Sequence, residues 1–109
     1  MSESDDRRAV ERIAVTPDTT CSFVSPVVED FGAALVRDIS LNGIGIIVAR
    51  KLVVGTLLVI ELVNQSRGFS RMMTVRVAHV TSVNGGYLVG GDFTTPLTYQ
   101  EFTSLVMKA

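Results

Sequence analysis

Asn84-Gly85-Gly86 is the strongest local constraint on how this chain can fold. It separates Met72–Thr81 from Tyr87–Phe93, two extended runs, and Asn and Gly supply the backbone freedom of a tight reversal, so the runs should pair as an antiparallel hairpin. Period-2 alternation in the first run puts Met73, Val75 and Val77 on one face and Thr74 and Arg76 on the other. Arg76 therefore points away from the apolar side. The same parity carries His79 onto the Val75–Val77 face, where it reads as a packed or rim histidine, with a ligand contact as the alternative.

Four further runs precede this hairpin. Thr20–Val28 contains Pro26, which suggests an edge strand or a bulge. Ala33–Ile39 ends at the turn sequence Ser40-Leu41-Asn42-Gly43. Gly43–Ala49 follows, with Gly45 marking a bulge or a close backbone approach. Val54-Gly55 turns the chain into Thr56–Val63, and a polar connection with Arg67-Gly68 leads to the fifth run. Six strands in series predict closure, because a closed sheet pairs its edges and encloses its apolar face. Thr98 and Glu101 have capping-box spacing ahead of Phe102, Leu105 and Val106, an apolar stripe at helical spacing. The expected fold is mostly β, a small six-stranded antiparallel β-barrel with a short C-terminal helix.

At 109 residues the chain has room for one core, and 47% hydrophobic residues can fill it. Residues 1–8 are too polar to offset the entropy of ordering them and are expected to form a flexible N-terminal arm, leaving 9–109 as the single barrel domain. No apolar segment opens the chain as a signal peptide would, and none approaches the roughly 20 residues of a membrane span, so no membrane insertion is expected. One cysteine, Cys21, permits no internal disulfide and suits a reducing cytoplasm. A cytoplasmic location is the expectation. A net charge of -1 lacks the broad basic footprint of DNA or RNA binders, so any bound anion must be held locally.

Catalytic signatures are missing from the sequence. One histidine and one cysteine make no standard zinc site, the acids show neither a calcium loop nor a paired acid–base spacing, and there is no phosphate loop or nucleophile elbow. The expectation is a binding protein with no catalytic residues, no metal and no cofactor. Arg8-Ala9-Val10-Glu11-Arg12, preceded by Arg7, offers planar donor forks for phosphate and guanine edges. The same arginines could instead pair with Asp5, Asp6 and Glu11 on a solvated arm. In Asp38-Ile39-Ser40-Leu41-Asn42-Gly43, Asp38 can accept from a base N–H, Ser40 offers a hydroxyl to phosphate, and Gly43 permits backbone approach. A turn stabilised by its own Asp, Ser and Asn is the plainer reading.

The joint pattern resembles the PilZ domain family of cyclic di-GMP receptors. Arg8 through Arg12 matches its Arg-x-x-x-Arg motif, Asp38-x-Ser40-x-x-Gly43 matches its Asp/Asn-x-Ser-x-x-Gly motif, and Gly90-Gly91-Asp92-Phe93 is similar to the Gly-x-x-Phe close of its last strand. The resemblance implies a six-stranded barrel and a ligand-binding set of Arg7, Arg8, Arg12, Asp38, Ser40 and Gly43. Arg8 and Arg12 would hold phosphates and guanine faces from the arm, while Asp38, Ser40 and Gly43 would line the barrel side. Arg7, directly before the motif, resembles members that accept two intercalated cyclic di-GMP molecules per chain. The implied function is a cyclic di-GMP-binding receptor or adaptor whose arm couples nucleotide binding to a surface for a downstream protein. The alternative is a PilZ-like protein–protein interaction module that does not bind nucleotide. The C-terminal helix, ending by Ala109, is shorter than many relatives carry.

Overall fold

The computed structural model describes residues 13–25 and 34–106, with Ser25 described by its backbone. Arg7, Arg8, Arg12, the arm expected over residues 1–8 and Pro26 lie outside the described residues. Among the described residues there are seven strands, β1 (Ile13–Ala14), β2 (Thr19–Ser25), β3 (Leu35–Ile39), β4 (Gly43–Val48), β5 (Leu57–Asn64), β6 (Phe69–Val83) and β7 (Gly86–Phe93), followed by helix α1 (Tyr99–Val106). They form one antiparallel sheet in the order β1-β3-β4-β7-β6-β5-β2.

The expected closed six-stranded barrel is therefore corrected to an open, seven-stranded half-barrel with β1 and β2 as its ends. The added strand explains why the sheet stays open. Closure would give the free edge of β3 to β2, but β1 occupies that edge through Ile13–Ile39 and Ala14–Asp38 pairing. Among the described residues, what joins the two sides is an isolated bridge, Cys21 with Ala34. β2 is further bent by a register shift between Phe23 and Ser25 against β5.

The concave face holds the core. Ile39, Ile44, Ile46, Leu58, Ile60, Leu62, Val75, Val77 and Val89 are essentially inaccessible, and Leu105 of α1 completes the set. Cys21 belongs to the same cluster, and burial pushes its thiol up to about 12, which suppresses the reactive thiolate. The Asn84–Gly86 reversal is realised as expected, with Val83 paired to Gly86. Its left-handed residue is Gly85 at φ 84°, and no non-glycine among the described residues takes a positive φ.

Helix α1 starts where the capping box places it. The Thr98 N–H donates to Glu101 Oε1 (2.8 Å), and the Glu101 N–H donates to Thr98 Oγ1 (3.1 Å). Glu101 also pairs with Arg71 of β6, which ties the helix to the sheet. At its other end, the Leu105 carbonyl accepts from the Thr16 N–H and from Thr19 Oγ1, both at 3.0 Å. Asn64, buried at the end of β5, donates to Thr16 Oγ1 (3.1 Å) and Thr19 Oγ1 (3.0 Å) and accepts from the Arg67 N–H (3.1 Å). This satisfied polar knot fastens the segment after β1 to the last turn of α1. No helix among the described residues is long and apolar enough to cross a membrane.

Candidate functional site

The turn from β3 to β4 is built by Ser40. Its side chain is buried, and its Oγ accepts from the Gly43 N–H (3.0 Å) and the Asn42 N–H (3.3 Å) while donating to the Gly43 carbonyl (3.4 Å). The Ser40 N–H donates to the same carbonyl at 2.9 Å. The turn is also held from outside, because the Phe93 N–H donates to the Asn42 carbonyl (2.8 Å) and the Leu97 N–H to the Leu41 carbonyl (2.9 Å). Ser40 thus faces inward, whereas the sequence reading offered its hydroxyl to phosphate. Gly43 begins β4 without a positive φ, so its place depends on the hydrogen bond its N–H donates to Ser40 Oγ rather than on a left-handed backbone.

Asp38, the residue before the end of β3, faces outward, opposite to the buried Ile39. Its side chain is 21% exposed and lies 3.8 Å from Arg37 Nε. Pairing across the outer face runs from Asp38 to Gly45, from Gly45 to Gly90, and from Gly90 to His79. Two glycines thus lie side by side between an acid and an imidazole. The result is an open trough of about 210 Å³ lined by Arg37, Asp38, Gly45, His79, Leu88 and Gly90.

Two bulges aim the trough's walls. A register shift between Val36 and Asp38 inserts Arg37 as an extra residue opposite β4, and a second between Val77 and His79 inserts Ala78 opposite β7. The second bulge changes the reading of His79. Strict alternation assigned it to the Val75–Val77 face, but those two valines are buried while His79 is exposed on the outer face. Its ring lies over Gly90. A Cβ placed on Gly90 would fall inside the envelope of imidazole Cε1 and Nε2 and stand 2.9 Å from Nδ1. Glycine is needed there for close approach of the ring to the strand.

The neighbouring rows extend this face. Toward the hairpin, Leu35, Ile47, Leu88 and Thr81 follow one another across β3, β4, β7 and β6, and Leu35 is 64% exposed. In the other direction, Gly43, Asp92, Arg76 and Leu57 form the next row, with Arg76 outward as alternation required. Of the residues singled out by sequence, the structure brings Asp38, Ser40 and Gly43 together; the three arginines lie outside the described residues. Arg37, His79 and Leu88 were missed as site residues. A signal for His79 was available: apolar spacing along β6 slips from two between Val75 and Val77 to three between Val77 and Val80, the mark of an inserted residue.

The site offers an acid, an imidazole and a flat glycine floor suited to a planar polar group, and no group of three metal-ligating side chains is assembled among the described residues. No curated protein matches the chain closely enough to be counted a relative. The PilZ domain model, by contrast, matches residues 6–107, which spans both sequence motifs, the trough and α1, and the chain belongs to the PilZ domain family.

Proposed function

We propose that the trough and the Asp38–Gly43 turn form the sheet-side half of a cyclic di-GMP receptor site, with Arg8 and Arg12 supplying the other half. PilZ domains are non-catalytic receptor or adaptor modules associated with this nucleotide. The observation that carries the reading is the pairing of Ile13 with Ile39. Ile13 follows Arg12 directly, so chain connectivity keeps the end of the arginine motif about 3.8 Å in Cα position from a residue paired beside Ser40. A trough of about 210 Å³ is smaller than the roughly 300 Å³ at which pockets begin to enclose a drug-sized ligand. It fits one base rather than a whole dinucleotide, and the remainder would need covering by another segment.

In this account Asp38 accepts from a guanine edge, the turn stabilised by Ser40 holds Asp38 and Gly43 in register, and the arginines meet the phosphates through charge-assisted hydrogen bonds. Neutralisation by the ligand draws the arm onto the outer face, and the covered surface is what a downstream protein reads. Arg7 adds a guanidinium that favours a second, intercalated nucleotide. Calorimetry on Arg8→Ala and Arg12→Ala tests the assignment. Each variant should lose about 1.5–3 kcal/mol, or roughly one to two decades in affinity, with an unchanged melting midpoint; unaltered binding in both overturns it.

One observation favours the second reading, a PilZ-like interaction module that binds no nucleotide. The Ser40 hydroxyl is fully engaged within its own turn, as expected of a structural serine. Under that reading, cyclic di-GMP produces no heat of binding and no change in melting.

A further inference from the structure

We propose that His79 is a ligand-binding residue that forms the second wall of the base seat and selects guanine by donating to its outer edge. The inference rests on the cyclic di-GMP reading and deepens it, because the ligand-binding set read from the sequence (Arg7, Arg8, Arg12, Asp38, Ser40 and Gly43) includes no side chain from β6 or β7.

Asp38, Gly45, Gly90 and His79 lie on four adjacent strands, so at roughly 4.8 Å per interval the two side chains start about 14 Å apart. The imidazole already covers Gly90 and Asp38 lines the opposite wall, so the open floor between them is Gly45, within a trough of about 210 Å³ that has room for one planar base. The imidazole rests on Gly90, and neither of its nitrogens has a hydrogen-bond or ion-pair partner among the described residues. Its ring is therefore placed but not engaged.

Guanine complements this pair of walls. Its N1–H and exocyclic amino group donate toward a carboxylate, and its opposite edge carries the N7 and O6 acceptors. A carboxylate offers acceptors, and an imidazole always has at least one N–H to donate. Adenine has no N1–H to offer Asp38, and toward His79 it keeps N7 but presents an amino donor where guanine has the O6 acceptor, so it can satisfy that edge only in part. The bulge at Ala78 produces this arrangement, since without it the ring would turn into the core.

The test is calorimetric titration of the full chain with cyclic di-GMP and with cyclic di-AMP, for the wild type, His79→Ala, His79→Gln and Gly90→Ala. Imidazole nitrogen resonances are followed in the wild type during the same titration. His79→Ala should weaken cyclic di-GMP by roughly tenfold and cyclic di-AMP far less, a loss of discrimination of about 1.4 kcal/mol. The melting midpoint should not change, because the ring is exposed. His79→Gln, which keeps a donor, should recover part of the loss, and Gly90→Ala, which displaces the ring, should resemble His79→Ala. Nitrogen shifts on titration support the contact. A wild type that binds cyclic di-GMP while His79→Ala binds it equally well and discriminates equally overturns the His79 assignment alone. A wild type that binds no cyclic di-GMP overturns the receptor reading and this inference with it.

Discussion

Ser40→Ala tests whether the turn beneath the site is a structural device. In the wild type, Ser40 Oγ accepts from the buried Gly43 N–H at 3.0 Å. It also accepts from the N–H of Asn42, an exposed residue that can find water instead. The Gly43 carbonyl keeps the Ser40 N–H as a donor at 2.9 Å. The uncompensated loss is therefore one buried donor, worth about 1–3 kcal/mol. For a domain of this size, that lowers the melting midpoint by roughly 4–12 °C. Urea unfolding of the free protein is the assay, with an unchanged m-value showing that the two endpoints are comparable. Nucleotide affinity should fall as well, because the turn fixes the position of Asp38. Stability within about 0.5 kcal/mol of wild type, the range of an ordinary surface substitution, would show that the turn does not depend on the Ser40 hydroxyl.

Asn64→Ala should cost about 2–4 kcal/mol in the same assay, since it removes a cap acceptor and the donors that join Thr16 and Thr19; a loss under about 0.5 kcal/mol contradicts the role given to the polar knot. Glu101 titrates below its ordinary value because the Thr98 N–H, assisted by Arg71, stabilises the carboxylate. A lowered folded pKa means that this contribution is complete above the unfolded value of 4.5 and disappears as pH falls through the lower folded value. Wild type and Glu101→Gln should therefore converge in stability on acidification, and parallel acid-unfolding curves would contradict the capping-box account.

Much of this architecture is written in local signals. The Asn84–Gly86 hairpin, the Thr98–Glu101 capping box, the Ser40–Gly43 turn and the outward Arg76 all depend on residues a few positions apart, and each is present. The strand from Met72 to Thr81 is longer than that reading, running Phe69–Val83, because Phe69–Arg71 are held by pairing with β5 and Ser82–Val83 by pairing with β7 rather than by a pattern of their own. Closure was misjudged for a non-local reason. Ile13–Ala14 is too short to show a period, yet it takes the β3 edge that β2 would need. His79 was placed on the wrong face because alternation assumes an uninterrupted ladder, and the extra residue at Ala78 reverses every side chain beyond it. Gly45 and Gly90 carry meaning as cross-strand partners, and pairing between distant segments is not legible at either position alone.

We propose that the outer face around Asp38 binds cyclic di-GMP with the help of the arginine motif. The most direct test is a calorimetric titration of the wild-type chain, at verified active concentration, with cyclic di-GMP and with cyclic di-AMP as competitor. Saturable binding of cyclic di-GMP that cyclic di-AMP does not displace is expected, at a ratio near two nucleotides per chain that Arg7→Leu shifts toward one. A ratio of one, unaffected by Arg7→Leu, removes the second nucleotide and leaves the receptor. No heat of binding and no change in melting midpoint at saturating cyclic di-GMP would contradict the claim itself.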